Sequence, residues 1–220
     1  KNDMKNVIEL QIKNWWDIED WEGLSNILLR HLEEHPELEQ VIHNLRTIFK
    51  EANGDLTRMP KLIDIHMPIM ESDKKKLAEI STPEGLRKDM LDKLIEYDPE
   101  FFKNPEHKVF EPSAGKGQFV YDVVLLFMEG LKEVFPEEEK RYKYIVENCI
   151  YIAEYNPVNT YIIKLLLDPY DKYELNIYTG DTLQMDIKKE WGIEGFALVV
   201  GNPPYQAVSE NGVSKGGGNN

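Results

Sequence analysis

The chain has 220 residues, of which 41% are apolar, enough for one sizeable core with a small appended unit and too many for a disordered chain. The formal net charge of −14 argues against a nucleic-acid-binding surface spread over the whole chain, without excluding a local basic groove. No apolar run approaches a membrane span and no signal peptide is visible. The single cysteine, Cys149, rules out an internal disulfide, which fits a reducing, cytoplasmic setting.

Residues 1–72 are expected to form a small helical unit. Trp15, Trp16 and Trp21 suit its packing. Pro36 opens its clearest helix, with an apolar stripe at Leu38, Val41, Ile42, Leu45, Ile48 and Phe49. Asn53-Gly54-Asp55 ends it. His31-Leu-Glu-Glu-His35 matches the pattern H-x-x-E-H of some zinc enzymes. Pro36 pushes His35 away from helical geometry, so the pair is read as a solvated helix end and no metal is expected.

A charged stretch with Lys74, Lys75 and Lys76 reads as a linker or exposed turn, and residues 73–220 as the main domain. Ser81-Thr82-Pro83-Glu84 is a strong helix start: a hydroxyl cap, proline at the first helical position, and Glu three residues after the serine. Its N–H groups suit either plain capping or a bound carboxylate. Leu86, Met90, Leu94 and Ile95 are expected to form that helix's apolar side.

Four strands follow. His107 to Glu111 leads into a turn, Pro112-Ser113-Ala114-Gly115-Lys116-Gly117, and then a helix from Gln118 to Glu133. Glycines there let backbone approach a ligand closely, but the turn is neither a Walker loop nor a full G-x-G-x-x-G. The acidic stretch at Pro136 reads as a charged connection. Cys149 to Glu154 is the second strand, and its terminal acid is placed to bind ribose hydroxyls. A helix from Asn156 to Leu167 follows. The third strand, Glu174 to Tyr178, leads into Gly180-Asp181.

The fourth strand, Phe196 to Val200, is read as buried on both faces. It delivers Asn202-Pro203-Pro204-Tyr205 at its carboxyl end. Two prolines remove two N–H donors and keep the carbonyls out of a helix. The Asn202 side-chain oxygen and the Pro203 carbonyl can then accept both hydrogens of an exocyclic amino group, and Tyr205 offers a stacking face. A plain Pro-Pro turn leaving a strand is the simpler reading of the tetrapeptide alone.

The order of these elements resembles the S-adenosylmethionine-dependent DNA methyltransferases that act on exocyclic amino groups. The nearest likeness is to gamma-class N6-adenine enzymes of restriction–modification systems. The motifs that carry it are Ser81-Thr82-Pro83, Glu111-Pro112-x-x-Gly115-x-Gly117, Glu154, Asp181 and Asn202 to Tyr205. The resemblance implies an α/β, Rossmann-like methyltransferase sheet, with its first four strands parallel in the order 3-2-1-4. It implies S-adenosylmethionine as cofactor. Thr82 and Pro83 would take its carboxylate end, and Glu111, Ser113, Ala114, Gly115 and Gly117 its main cradle. Glu154 would take the ribose, Tyr155 and Asn156 the adenine flanks, and Asp181 the adenine amino group. Asn202, Pro203, Pro204 and Tyr205 would hold a flipped-out adenine of double-stranded DNA. Such enzymes continue into further strands and a DNA-recognition domain, so the chain looks like the front part of a longer protein. Self-association or a partner subunit at the fourth strand is expected. Glutamine-N5 methyltransferases, which also use Asn-Pro-Pro-Tyr, and a non-catalytic cofactor-binding subunit are the alternatives. The Thr82-Pro83 element favours DNA over the former.

Overall fold

The computed structural model describes residues 38–67, 84–112, 114–115, 117–168 and 172–201. Helix α1 (Leu38–Ala52) ends where Asn53 and Gly54 turn left-handed. The Asp55 carboxylate accepts from the Thr57 N–H and hydroxyl, and a short 3-10 turn leads into α2 (Met59–His66). Leu45 and Ile48 of the expected stripe are fully buried and join Leu62 and Ile63 in the core.

Helix α3 (Glu84–Tyr97) buries only part of the expected apolar side: Leu94 and Ile95 pack against the core. Leu86 and Met90 are exposed, whereas Arg87 and Leu91 are buried. The reason is electrostatic. Arg87 Nη1 and Nη2 donate to the two Asp64 oxygens of α2 at 3.2 and 2.6 Å, and its Nε donates to Asp122 Oδ2 at 2.7 Å. Asp122 lies on α4 (Gln118–Gly130), so one guanidinium joins three helices. A charge this deep is tolerated only when paired.

The sheet is built on four short strands: β1 (Val109–Glu111) and β2 (Ile150–Glu154), buried throughout, flanked by the less buried β3 (Asn176–Thr179) and β4 (Leu198–Val199). All pair in parallel, in the order β3-β2-β1-β4, as the resemblance implied. Val109 pairs with Ile150 and Leu198, Glu111 with Ile152, and Glu154 with Thr179. Alternation then divides the side chains between two faces. Val109, Ile150 and Ile152 face a large core shared with α1, α2, α4 and α6 (Pro157–Leu167). Phe110, Tyr151 and Ala153 face a smaller cluster roofed by Phe196 and by Trp191, at the end of the short helix α7 (Ile187–Trp191). Phe110 and Phe196 stack at 4.6 Å between ring centroids, and Trp191 meets Tyr151 edge-on at 5.2 Å. The first helices thus share one core with the sheet, while the expected boundary at 72/73 lies outside the described residues.

Two local readings need correction. The connection after Pro136 is a helix, α5 (Glu138–Tyr144), which runs through a π-helical turn (Ile145–Cys149) into β2. Its charged sequence hides the anchor. Arg141 is buried and donates to the carbonyls of Met128, Phe135 and Pro136, so a cation sits where the chain leaves α4 and carbonyls need partners. The fourth strand is not buried on both faces, because Val199 is 57% exposed. Its neighbour in register, Phe110, is covered, but the aromatic roof does not extend over β4.

Candidate functional site at the carboxyl edge of the sheet

The four strands run the same way, so their carboxyl ends meet along one edge. Glu111, at the end of β1, is 3% exposed. The turn after it is folded back against the sheet: Ala114 N–H donates to the Ala153 carbonyl at 3.3 Å, and Gly117 N–H to the Ala114 carbonyl at 2.9 Å. Gly115 and Gly117 take φ values of 56° and 90°, which side chains disfavour. A Cβ on Gly117 would also lie 3.3 Å from Ile163 of α6. The turn therefore packs on α6 as it opens α4.

Glu154, at the end of β2, is 5% exposed. Its Oε2 accepts from the Asn159 side chain at 3.3 Å and from the Asn156 N–H at 3.4 Å. The Asn156 carbonyl in turn accepts from Thr160, in the first turn of α6. The carboxylate thus lies at the positive end of a helix. Tyr155 is 63% exposed and presents its ring at the edge. After β3, Gly180 N–H donates to the Glu154 carbonyl at 3.0 Å. Asp181 then caps a 3-10 turn through Leu183 N–H, at 2.9 Å. The Thr182 hydroxyl crosses to the Pro112 carbonyl at 2.8 Å, tying the loop after β3 to the loop after β1. At the end of β4, Gly201 has φ 103° and sits on the Glu111 carboxylate; a Cβ there would come within 1.9 Å of Oε1.

Eight expected site residues are described: Glu111, Ala114, Gly115, Gly117, Glu154, Tyr155, Asn156 and Asp181. All lie on this edge or in the loops that leave it. Thr82, Pro83, Ser113, Asn202, Pro203, Pro204 and Tyr205 lie outside the described residues, as do His31 and His35. Sequence reasoning passed over Asn159, Thr182 and Gly201. A buried asparagine five residues past Glu154, and a hydroxyl directly after Asp181, were the available signals.

Three carboxylates on one edge favour a ligand that brings hydroxyl and amino donors, or positive charge, and disfavour a phosphate. A flat exposed ring and close glycine backbone suit a nucleoside. Among the described residues, no group of three His, Cys, Asp or Glu side chains is placed to hold a metal ion, and no helix is long and apolar enough to cross a membrane.

No family model matches the chain. Over 73 residues it is 32% identical to an uncharacterized adenine-specific methylase of Mycoplasma pneumoniae. That stretch is 33% of this chain and 17% of the relative, so the chain spans a small part of the curated protein it resembles. Among solved structures, it is similar to a modification subunit assigned to a type I restriction enzyme of Vibrio vulnificus. The identity is 17% and the TM-score 0.43, over 73% of this chain and 32% of that one.

Proposed function

We propose that this chain carries the cofactor-binding part of a site-specific DNA adenine-N6 methyltransferase of restriction–modification type, with S-adenosylmethionine as cofactor and double-stranded DNA as substrate. The observation that carries the reading is the gathering of Glu111, the Gly115–Gly117 turn, Glu154 and Asp181 on one edge of a parallel β3-β2-β1-β4 sheet. The similarity to an adenine-specific methylase supports it.

The edge suits the cofactor's chemistry. Its two positive charges match an acidic site, its ribose hydroxyls match the Glu154 carboxylate, and its adenine amino group matches Asp181. Glu111, Ser113, Ala114, Gly115 and Gly117 are assigned its cradle, Thr82 and Pro83 its carboxylate end, and Tyr155 and Asn156 its adenine. When bound, the cofactor supplies an electrophilic methyl group. Asn202 and Pro203 accept from the target amino group, orient its nitrogen and stabilise positive charge as it develops there. Tyr205 is assigned the stacking face for the flipped base, and Pro204 completes the motif. Contacts to duplex DNA are assigned to a partner subunit or a dedicated recognition domain.

Titration calorimetry with S-adenosylmethionine tests the reading. Binding is expected, with Glu154→Ala weakening it by about 1–3 kcal/mol through lost charge-assisted hydrogen bonds. A folded sample that shows neither heat nor a thermal shift with the cofactor would sink the proposal.

A further inference from the structure

On the carboxyl edge, a close backbone approach joins β1 to β4. Gly201 directly precedes Asn202, and its backbone rests on the Glu111 carboxylate. A Cβ at position 201 would lie 1.9 Å from Oε1, 2.5 Å from Cδ and 2.6 Å from Oε2. The whole carboxylate therefore fills the space that a side chain would take. Both neighbours are anchored independently. Phe110 accepts from Val200 N–H at 2.9 Å, and Val109 and Phe110 pair with Leu198 and Val199. The chain leaves β4 at φ 103°, with the carboxylate as its seat.

We propose that Glu111 is a positioning residue for the segment that begins at Gly201. Its carboxylate sets the course of the backbone as it leaves β4 at Gly201. Glu111 also opens the glycine turn, so the seat joins the two halves of the edge through one side chain. The identification of that segment as a target-base motif rests on the function proposed above; the seating contact does not.

A thermal-denaturation cycle on the full chain, without any ligand, tests the contact. Gly201→Ala introduces two penalties: the strained φ, which any side chain incurs, and the collision with the carboxylate. Glu111→Asp keeps the charge and withdraws it by one methylene. The drop in melting temperature from Gly201→Ala is expected to be several degrees smaller in the Glu111→Asp background than in the parent. An equal drop in both backgrounds overturns the proposal. If Gly201→Ala does not fold, amide hydrogen exchange in Glu111→Ala decides. Exchange at Leu198 and Val200, whose N–H groups donate to the Lys108 and Phe110 carbonyls, is expected to rise at least about threefold, while that at Gly180, which donates to the Glu154 carbonyl, stays constant. Unchanged exchange at all three positions, or an equal rise at all three, refutes the seat. Calorimetry with S-adenosylmethionine on the same proteins reports separately on the proposed function, so the two can fail independently.

Discussion

Removing Arg87 tests the ion-pair cluster that joins three helices. Its side chain is 1% exposed and, among the described residues, makes charge-assisted hydrogen bonds to both Asp64 oxygens and to Asp122. Breaking a fully buried ion pair by deleting one partner costs about 3–5 kcal/mol, chiefly by stranding the other charge. Here the stranded groups are Asp64 and Asp122, whose side chains are 26% and 22% exposed and regain some water. That moderates the penalty, while the lost packing of the arginine stem adds to it. For Arg87→Ala we expect a loss of about 3 kcal/mol, or roughly 6–12 °C in melting temperature for a domain of this size. Desolvation alone would lower the Arg87 pKa; the hydrogen bonds to Asp64 and Asp122 more than offset it and hold the pKa above its ordinary value. The guanidinium therefore stays charged at every practicable pH, and substitution rather than titration is the informative perturbation. Urea denaturation of the parent, Arg87→Ala and Arg87→Lys is the assay. Lysine restores charge without the planar fork and is expected to recover less than half of the loss. A loss below about 1 kcal/mol for Arg87→Ala, within the range of exposed pairs, would refute the reasoning.

Burial pushes the Cys149 thiol up to about 12 from its ordinary 9.0, and burial also raises Tyr121. A folded pKa above the unfolded one means that the stabilisation is complete below about pH 9 and is lost as pH climbs towards 12, at up to about 1.4 kcal/mol per unit. Denaturation midpoints measured from pH 8 to 11 are expected to fall, and a thiol reagent at neutral pH is expected to label Cys149 only as the protein unfolds. Flat midpoints and fast labelling would contradict both. Gly130→Ala should destabilise by about 2 kcal/mol. Helix propensity favours alanine by about 1 kcal/mol, but the new Cβ would stand 2.2 Å from the Phe102 carbonyl oxygen, and overpacking outweighs propensity; a raised melting temperature would reverse this judgement. If the proposed function holds, Asn202→Ala is expected to abolish methyl transfer with cofactor affinity nearly unchanged, and normal turnover on DNA would remove the role proposed for Asn202.

The parallel sheet was legible because short runs rich in apolar and aromatic residues lead into informative ones: Glu111, Glu154, Gly180-Asp181 and Asn202. Where reading failed, a charged side chain performed a task that patterning assigns to aliphatics. On α3, Arg87 occupies the buried face and Leu86 and Met90 take the exposed one. On α5, the inward anchor is again an arginine, held by carbonyls of the preceding turn. The partners of Arg87 lie 23 and 35 residues away, and those of Arg141 are backbone carbonyls rather than side chains, so periodicity could reveal neither. Val199 was misjudged for another reason: an apolar run shows what could be buried, but not how far a neighbouring cluster reaches. The seat of Gly201 on Glu111 joins positions 90 residues apart, and nothing local announces it.

The strand register gives the carboxyl edge a built-in ruler. Glu111 is level with Ile152, so Glu154 stands one strand over and two residues further along. With strands about 4.8 Å apart and a rise of about 3.3 Å per residue, the two backbone positions are held roughly 8 Å apart on an oblique line. Rotamers do not set that distance; ladder pairing does. A ligand that spans both acids must lie aslant across the strand ends, and a slip of one residue between β1 and β2 would shorten or lengthen the span while turning one acid to the aromatic face. The spacing is thereby protected by the same hydrophobic alternation that builds the core.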